Sequence, residues 1–207
     1  GREYMYYSKW NKCIDTLIRH LNLKSATWKD ERCASMRFIA RSYTKLGRYD
    51  EARLWLEKAI KEAPYLRDAY VEMALLDYRL GNYMDVIKNC ILALKIKENR
   101  RTYINERFCF DHTIDDLLSL SYYNLGIYDD SLYFVNRALK YAPNDERLLK
   151  NREFDLRSSV SQKAKEYLIK NYSVDISDID VIIGYRADDS YFTFAQDFLN
   201  NIISLRK

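Results

Sequence analysis

The sequence predicts an all-α fold, a right-handed solenoid of stacked antiparallel helix pairs, with a small α/β-like tail at its C-terminal end. Three observations predict it. A short string recurs as Leu46-Gly47-Arg48-Tyr49-Asp50-Glu51-Ala52, Leu80-Gly81-Asn82-Tyr83-Met84-Asp85-Val86 and Leu125-Gly126-Ile127-Tyr128-Asp129-Asp130-Ser131. Gly47 and Gly81 lie 34 residues apart, and Gly81 and Gly126 lie 45 apart, which is one such unit plus an insertion of 11. The only two prolines, Pro64 and Pro143, are 79 residues apart and keep the register of the glycines. A period of this length marks an array whose units are each too small to bury an apolar face alone, so they stack.

The elements follow in order. Residues 1–32 read as a partial repeat: Trp10, Cys13 and His20 take the places that Tyr49, Ala52 and Ala59 hold one unit later. Full repeats are expected at 33–66, 67–100 and 112–145. In each, the glycine ends the first helix in a turn that a Cβ would hinder. The tyrosine two residues on wedges between the helices. Ala52, Val86 and Ser131 are small enough for close approach, and Ala59, Ala93 and Ala138 lie seven residues further along the same face. Pro64 and Pro143 close their helices after Ala63 and Ala142.

Residues 145–157 are highly charged but apolar at Leu148, Leu149 and Phe154, which suits a helix capping the last repeat. Ser158 to Gln162 reads as a linker and 163–171 as a helix. Val181-Ile182-Ile183 reads as a buried strand, and Asp188 or Asp189 as the cap of a helix through Leu199. The chain thus divides into a solenoid, 1–157, and a tail with one strand and flanking helices, 158–207.

The pattern resembles the tetratricopeptide repeat, with small residues at Ala40, Ala52 and Ala59, Gly47 at the turn, aromatics at Tyr43 and Tyr49, and Pro64 at the end. The resemblance implies a scaffold that binds a protein or peptide in a concave groove lined by the first helix of each pair. Groove candidates are Arg37, Arg41 and Thr44 in the first repeat, Asp68, Val71, Leu75 and Arg79 in the second, and Asp116, Leu120 and Tyr123 in the third. Arg37 and Arg41 share a helical face and either jointly clamp a carboxylate or phosphate or form a solvated basic stripe. The Lys and Asn pattern with which chaperone-binding members hold a C-terminal carboxylate is not reproduced. Arg37 and Arg41 stand in those places and Glu72 would repel the ligand, so chaperone-tail binding is not expected.

A narrower resemblance runs over residues 2–153. The stretch Arg2-Glu3-Tyr4-Met5-Tyr6-Tyr7-Ser8-Lys9-Trp10, then Asp30-Glu31-Arg32-Cys33, Cys109-Phe110, Asn136-Arg137-Ala138-Leu139 and Asn151-Arg152-Glu153-Phe154 is similar to the repeat region of bacterial family-two glycosyltransferases. This implies an acceptor-recognition or dimerising region, without the catalytic half: Asp178-Ile179-Asp180 matches the metal motif of such enzymes by spacing alone, and Thr113-Ile114-Asp115 departs from the family's Trp and Pro. The tail Asp180 to Phe192 resembles the end of a bacterial domain akin to ADP-ribosyltransferases. That would make Tyr185, Arg186, Asp188 and Asp189 site residues of an intact relative; a turn and helix cap is the alternative.

Composition narrows the classes. With 48% hydrophobic and 31% charged residues, the 207-residue chain suits a soluble helical core, and no apolar run approaches a membrane span. A net charge of +4 is too balanced for a protein that coats phosphates. Cys13, Cys33, Cys90 and Cys109 are scattered, reading as buried free thiols of a reducing cytoplasm. Most of the 19 tyrosines mark packing positions, with groove stacking as the alternative. His20 and His112 have no partner at ligand spacing, and adjacent Asp115 and Asp116 point about 100° apart on a helix, so they read as a solvated helix start rather than a metal site. The insertion, 99–111, is basic at Arg100 and Arg101 and apolar at Phe108 and Phe110. It is expected as a loop over the groove mouth, a contact to a second copy, or a lengthening of the preceding helix. The expected partners are therefore a protein or peptide in the groove and a homodimer mate, with no nucleic acid, cofactor, metal or catalytic activity.

Overall fold

The computed structural model describes residues 1–97 and 102–172. The expected strand at 181–183, the cap and helix around 188–199, and the ADP-ribosyltransferase-like positions Tyr185, Arg186, Asp188 and Asp189 lie outside the described residues.

A short helix, α1 (Arg2–Tyr6), precedes α2 (Trp10–Leu21), which packs on the first full pair, α3 (Lys29–Lys45) and α4 (Tyr49–Glu62). The second pair is α5 (Arg67–Arg79) and α6 (Tyr83–Lys95), the third α7 (Thr113–Asn124) and α8 (Tyr128–Tyr141), and α9 (Glu146–Tyr172) closes the stack against α8. First helices also neighbour one another, α3 against α5 and α5 against α7, so their exposed sides line one trough.

The local rules account for each pair. Gly47, Gly81 and Gly126 have φ of 75°, 76° and 74°. Each closes a Schellman turn, in which the residue after the glycine donates to a carbonyl five positions back: Arg48 to Tyr43, Asn82 to Asp77 and Ile127 to Tyr122, all at 2.9 Å. Ala52, Val86 and Ser131, with Ala59, Ala93 and Ala138, are all fully buried where the second helix meets the first. The residue before each proline has left the helical region, with φ, ψ of −139°, 72° at Ala63 and −133°, 69° at Ala142. All four cysteines are free and buried, and burial pushes the Cys33 and Cys90 thiols up to about 12.

Two local expectations are corrected. Ser158 to Gln162 is not a linker, because it lies inside α9. Ser159 is buried there and its hydroxyl donates to Asp129, which also pairs with Lys163 Nζ at 2.8 Å. Docking on the last pair thus outweighs the weak helix preference of serine. Asp115 is not solvated either: it is 4% exposed, lies 3.2 Å from Arg137, and burial pushes its carboxyl up.

Candidate functional site

The trough between α3 and α5 is charged at its floor. Arg37 is buried, and its Nη1 donates to Glu72 Oε1 at 2.6 Å and lies 3.6 Å from Asp68. One turn on, Arg41 donates through Nε and Nη2 to the two oxygens of Glu72, at 2.9 and 2.8 Å. Burial alone would push the Glu72 carboxyl up, but the two guanidiniums outweigh it and hold the group below the ordinary carboxylate range. Burial likewise works against the charge of Arg37, and Glu72 and Asp68 reverse that. Glu72 thus faces two guanidiniums at hydrogen-bond distance and does not stand unpaired in the trough.

The insertion folds back over this floor. Beyond α6 the chain is not a longer helix; from Thr102 it runs as a loop to a single 3-10 turn, Arg107–Cys109. Ile104 enters the apolar cluster of Cys13, Ile14, Leu17, Ala34, Phe38 and Ile39. Its carbonyl accepts from Arg37 Nη2 at 2.8 Å. Asp68 receives the Asn105 side-chain amide at 2.8 Å and the Glu106 backbone N–H at 2.7 Å. Glu106 in turn reaches Arg41 at 3.0 Å, and Arg41 lies over the rings of Phe38 and Phe108. Of the three expectations for the insertion, the loop in the groove is the one that describes this geometry within the chain.

Beside the loop a cavity of about 830 Å³ stays open. Its walls come from α1 (Arg2, Met5, Tyr6), α3 (Phe38, Arg41, Thr44, Lys45), α5 (Glu72, Leu75, Tyr78, Arg79) and the loop (Glu106, Phe108).

Of the sequence-predicted groove residues, Arg41, Thr44, Leu75 and Arg79 meet in this cavity. Thr44 donates its hydroxyl to Ala40 of its own helix at 3.0 Å. Arg37 and Asp68 are buried beneath the loop and are not surface ligands, which corrects their expected role as groove lining. Val71 is fully buried in the cluster that takes in Cys109 and Ile114, so it too leaves the groove. Asp116 is held by both Nη atoms of Arg147 at 2.9 Å, and Tyr123 sets its ring edge-on against Tyr128 at 5.4 Å; neither lines the cavity. The sequence reading missed Arg2 and Phe38 as wall residues. Phe38 stands at the register of Glu72, which is the one signal that pointed to it.

Among the described residues no helix is long and apolar enough to cross a membrane. No family model matches the chain, and no curated protein matches it significantly. Solved structures do. The first TPR domain of Spaghetti (RPAP3), bound to the HSP90 peptide SRMEEVD, is 18% identical with a TM-score of 0.53, over 63% of this chain and 98% of that one. The first TPR domain of human RPAP3 gives 18% and 0.54, over 65% and 97%. MamA of MSR-1 gives 14% and 0.58, over 81% and 87%. The helix pairs, the left-handed glycines and these likenesses together give the chain the fold of a tetratricopeptide-repeat domain.

Proposed function

We propose that the chain is a cytoplasmic protein-interaction scaffold whose trough holds a segment of a partner protein. The observation that carries this reading is the cavity of about 830 Å³, walled by two first helices and left open beside the insertion. The trough's ability to hold non-helical chain supports it: α3 and α5 already grip the insertion by a side chain, a carbonyl and an N–H, which is how a groove holds a peptide. A domain of the same fold solved with a peptide bound supports it further. Four buried free thiols fit a reducing compartment.

The similarity of residues 2–153 to the repeat region of family-two glycosyltransferases supports a finer reading, in which the partner is the acceptor protein of such an enzyme. Calorimetric titration of the chain with segments of candidate acceptors tests it. Binding that Leu75→Asp abolishes is expected, whereas binding that survives this change puts the partner elsewhere. Arg41→Glu is not a clean probe of a partner, because Arg41 anchors the insertion through Glu106.

A further inference from the structure

The cavity has a charge pattern that the fold does not use. Four cations line it, Arg2, Arg41, Lys45 and Arg79, against two acids, Glu72 and Glu106. Both acids are occupied by the guanidiniums of Arg37 and Arg41. Arg2, Lys45 and Arg79 have no ion pair among the described residues. Arg2 is held by a ring instead, its guanidinium 5.2 Å from the centre of Phe38.

Lys45 and Arg79 are the last residues of α3 and α5. A cation there offsets the helix dipole, but that dipole amounts to about half a charge at each end, so a positive excess remains. The same register in the third pair holds Asn124, at the end of α7. The cation is thus present in the two pairs that border the cavity and missing from the one that does not. Between the charges the wall is apolar, with Phe38, Leu75 and Phe108. The three cations outside the Glu72 and Glu106 pairs, set over such walls, focus the field on an incoming anion.

We infer that the cavity receives an acidic segment of a partner protein, with an apolar side chain against Leu75 and Phe108 and carboxylates on Arg2, Lys45 and Arg79. This rests on the groove reading above and adds the chemistry of the partner. A protein is favoured over a nucleic acid because the whole chain carries only +4 among 64 charged residues, 34 basic and 30 acidic.

The test is fluorescence anisotropy on the full chain with three short labelled peptides that share one Leu and Phe frame and carry Glu, Gln or Lys between. A labelled oligo-dT strand serves as a fourth probe. The Glu peptide is expected to bind about tenfold or more tighter than the Gln peptide, and its affinity to fall with salt. Arg79→Glu or Lys45→Glu should each cost it about tenfold, while Arg79→Lys keeps most of it. Both residues are exposed, and thermal melts followed by circular dichroism verify that the variants fold.

Equal binding of the Glu and Gln peptides, both lost in Leu75→Asp, would overturn the acidic partner and leave the groove reading standing. If none of the three peptides binds, the acidic partner is overturned, and the titration with acceptor segments decides the groove reading by itself. Tighter binding of oligo-dT than of the Glu peptide overturns the inference in favour of a nucleic acid.

Discussion

Asn89 donates to Asp77 at 2.9 Å inside the second helix pair, at the register where the first pair has Tyr43 and Trp55 and the third stacks Tyr122 on Phe134 at 5.6 Å. Asp77 is fully buried, and Arg53 from α4 of the preceding pair closes on its other oxygen. A polar pair has replaced an aromatic one, and its charge is completed from the neighbouring unit. The first two pairs are therefore joined by an ion pair as well as by apolar packing.

Removing a donor from a buried carboxylate leaves an unsatisfied acceptor, so Asn89→Ala is expected to destabilise the chain by about 1–3 kcal/mol in urea unfolding. Asp77→Tyr combined with Asn89→Phe restores the aromatic pair used by the third repeat. It should lie closer to wild type than the sum of the two single variants, a favourable coupling above about 0.5 kcal/mol. Strict additivity would show that the two residues do not act as a pair.

The turn glycines are held by conformation alone. A Cβ added at Gly47, Gly81 or Gly126 meets nothing within 4 Å, yet all three have positive φ. Each Gly→Ala change should therefore cost about 1–2 kcal/mol from backbone strain. Gly→Asn should cost less, because asparagine tolerates the left-handed region.

The insertion is anchored at two apolar points, Ile104 in one cluster and Cys109, with Phe108 and Phe110, in another, and Ile104 holds the part that carries Asn105 and Glu106. Ile104→Ala should weaken its docking by about 2–4 kcal/mol, as for other buried isoleucines. The readout is local: faster amide exchange at Glu106, whose N–H bonds to Asp68, and faster proteolysis within 102–110, with a smaller effect on global unfolding. Unchanged exchange at Glu106 would mean that the polar contacts hold the loop without the side chain.

Two buried carboxylates give opposite pH dependences. Asp155, 2% exposed and within 3.4 Å of Ser119 Oγ, has its carboxyl pushed up to about 6 by burial. Its folded value exceeds the unfolded one, so its stabilising share is present in acid and lost as pH rises through about 6. Asp155→Asn should strengthen the docking of α9 at neutral pH and flatten this dependence, checked by thermal melts at a series of pH values. Glu72 behaves the other way. Its depressed carboxyl stabilises the network above the ordinary carboxylate range, and that share is lost on acidification below it, so the insertion should loosen in acid.

Individual positions show what was legible in sequence. Gly47, Tyr49, Ala52 and Ala59 announce the first pair because each answers a local demand: a left-handed turn, a wedge, and two close approaches on one face. The structure meets all of them. Arg37 and Arg41 were legible as a pair on one face, and Leu75 and Arg79 as members of the trough. Ser158 to Gln162 was misread because serine's preference for turns is a local signal, whereas the contact with Asp129 that keeps it helical spans 30 residues.

The sequence by itself determined the repeat: its period, its turns and the small residues at each helix crossing follow from rules that act within a few residues. The tertiary structure decided what the trough contains. Arg37 reaches Ile104 across 67 residues, and Asp68 reaches Glu106 across 38. Periodicity carries no information about such pairings, because they depend on where a non-repeating loop comes to rest once the stacked pairs have formed the surface that receives it.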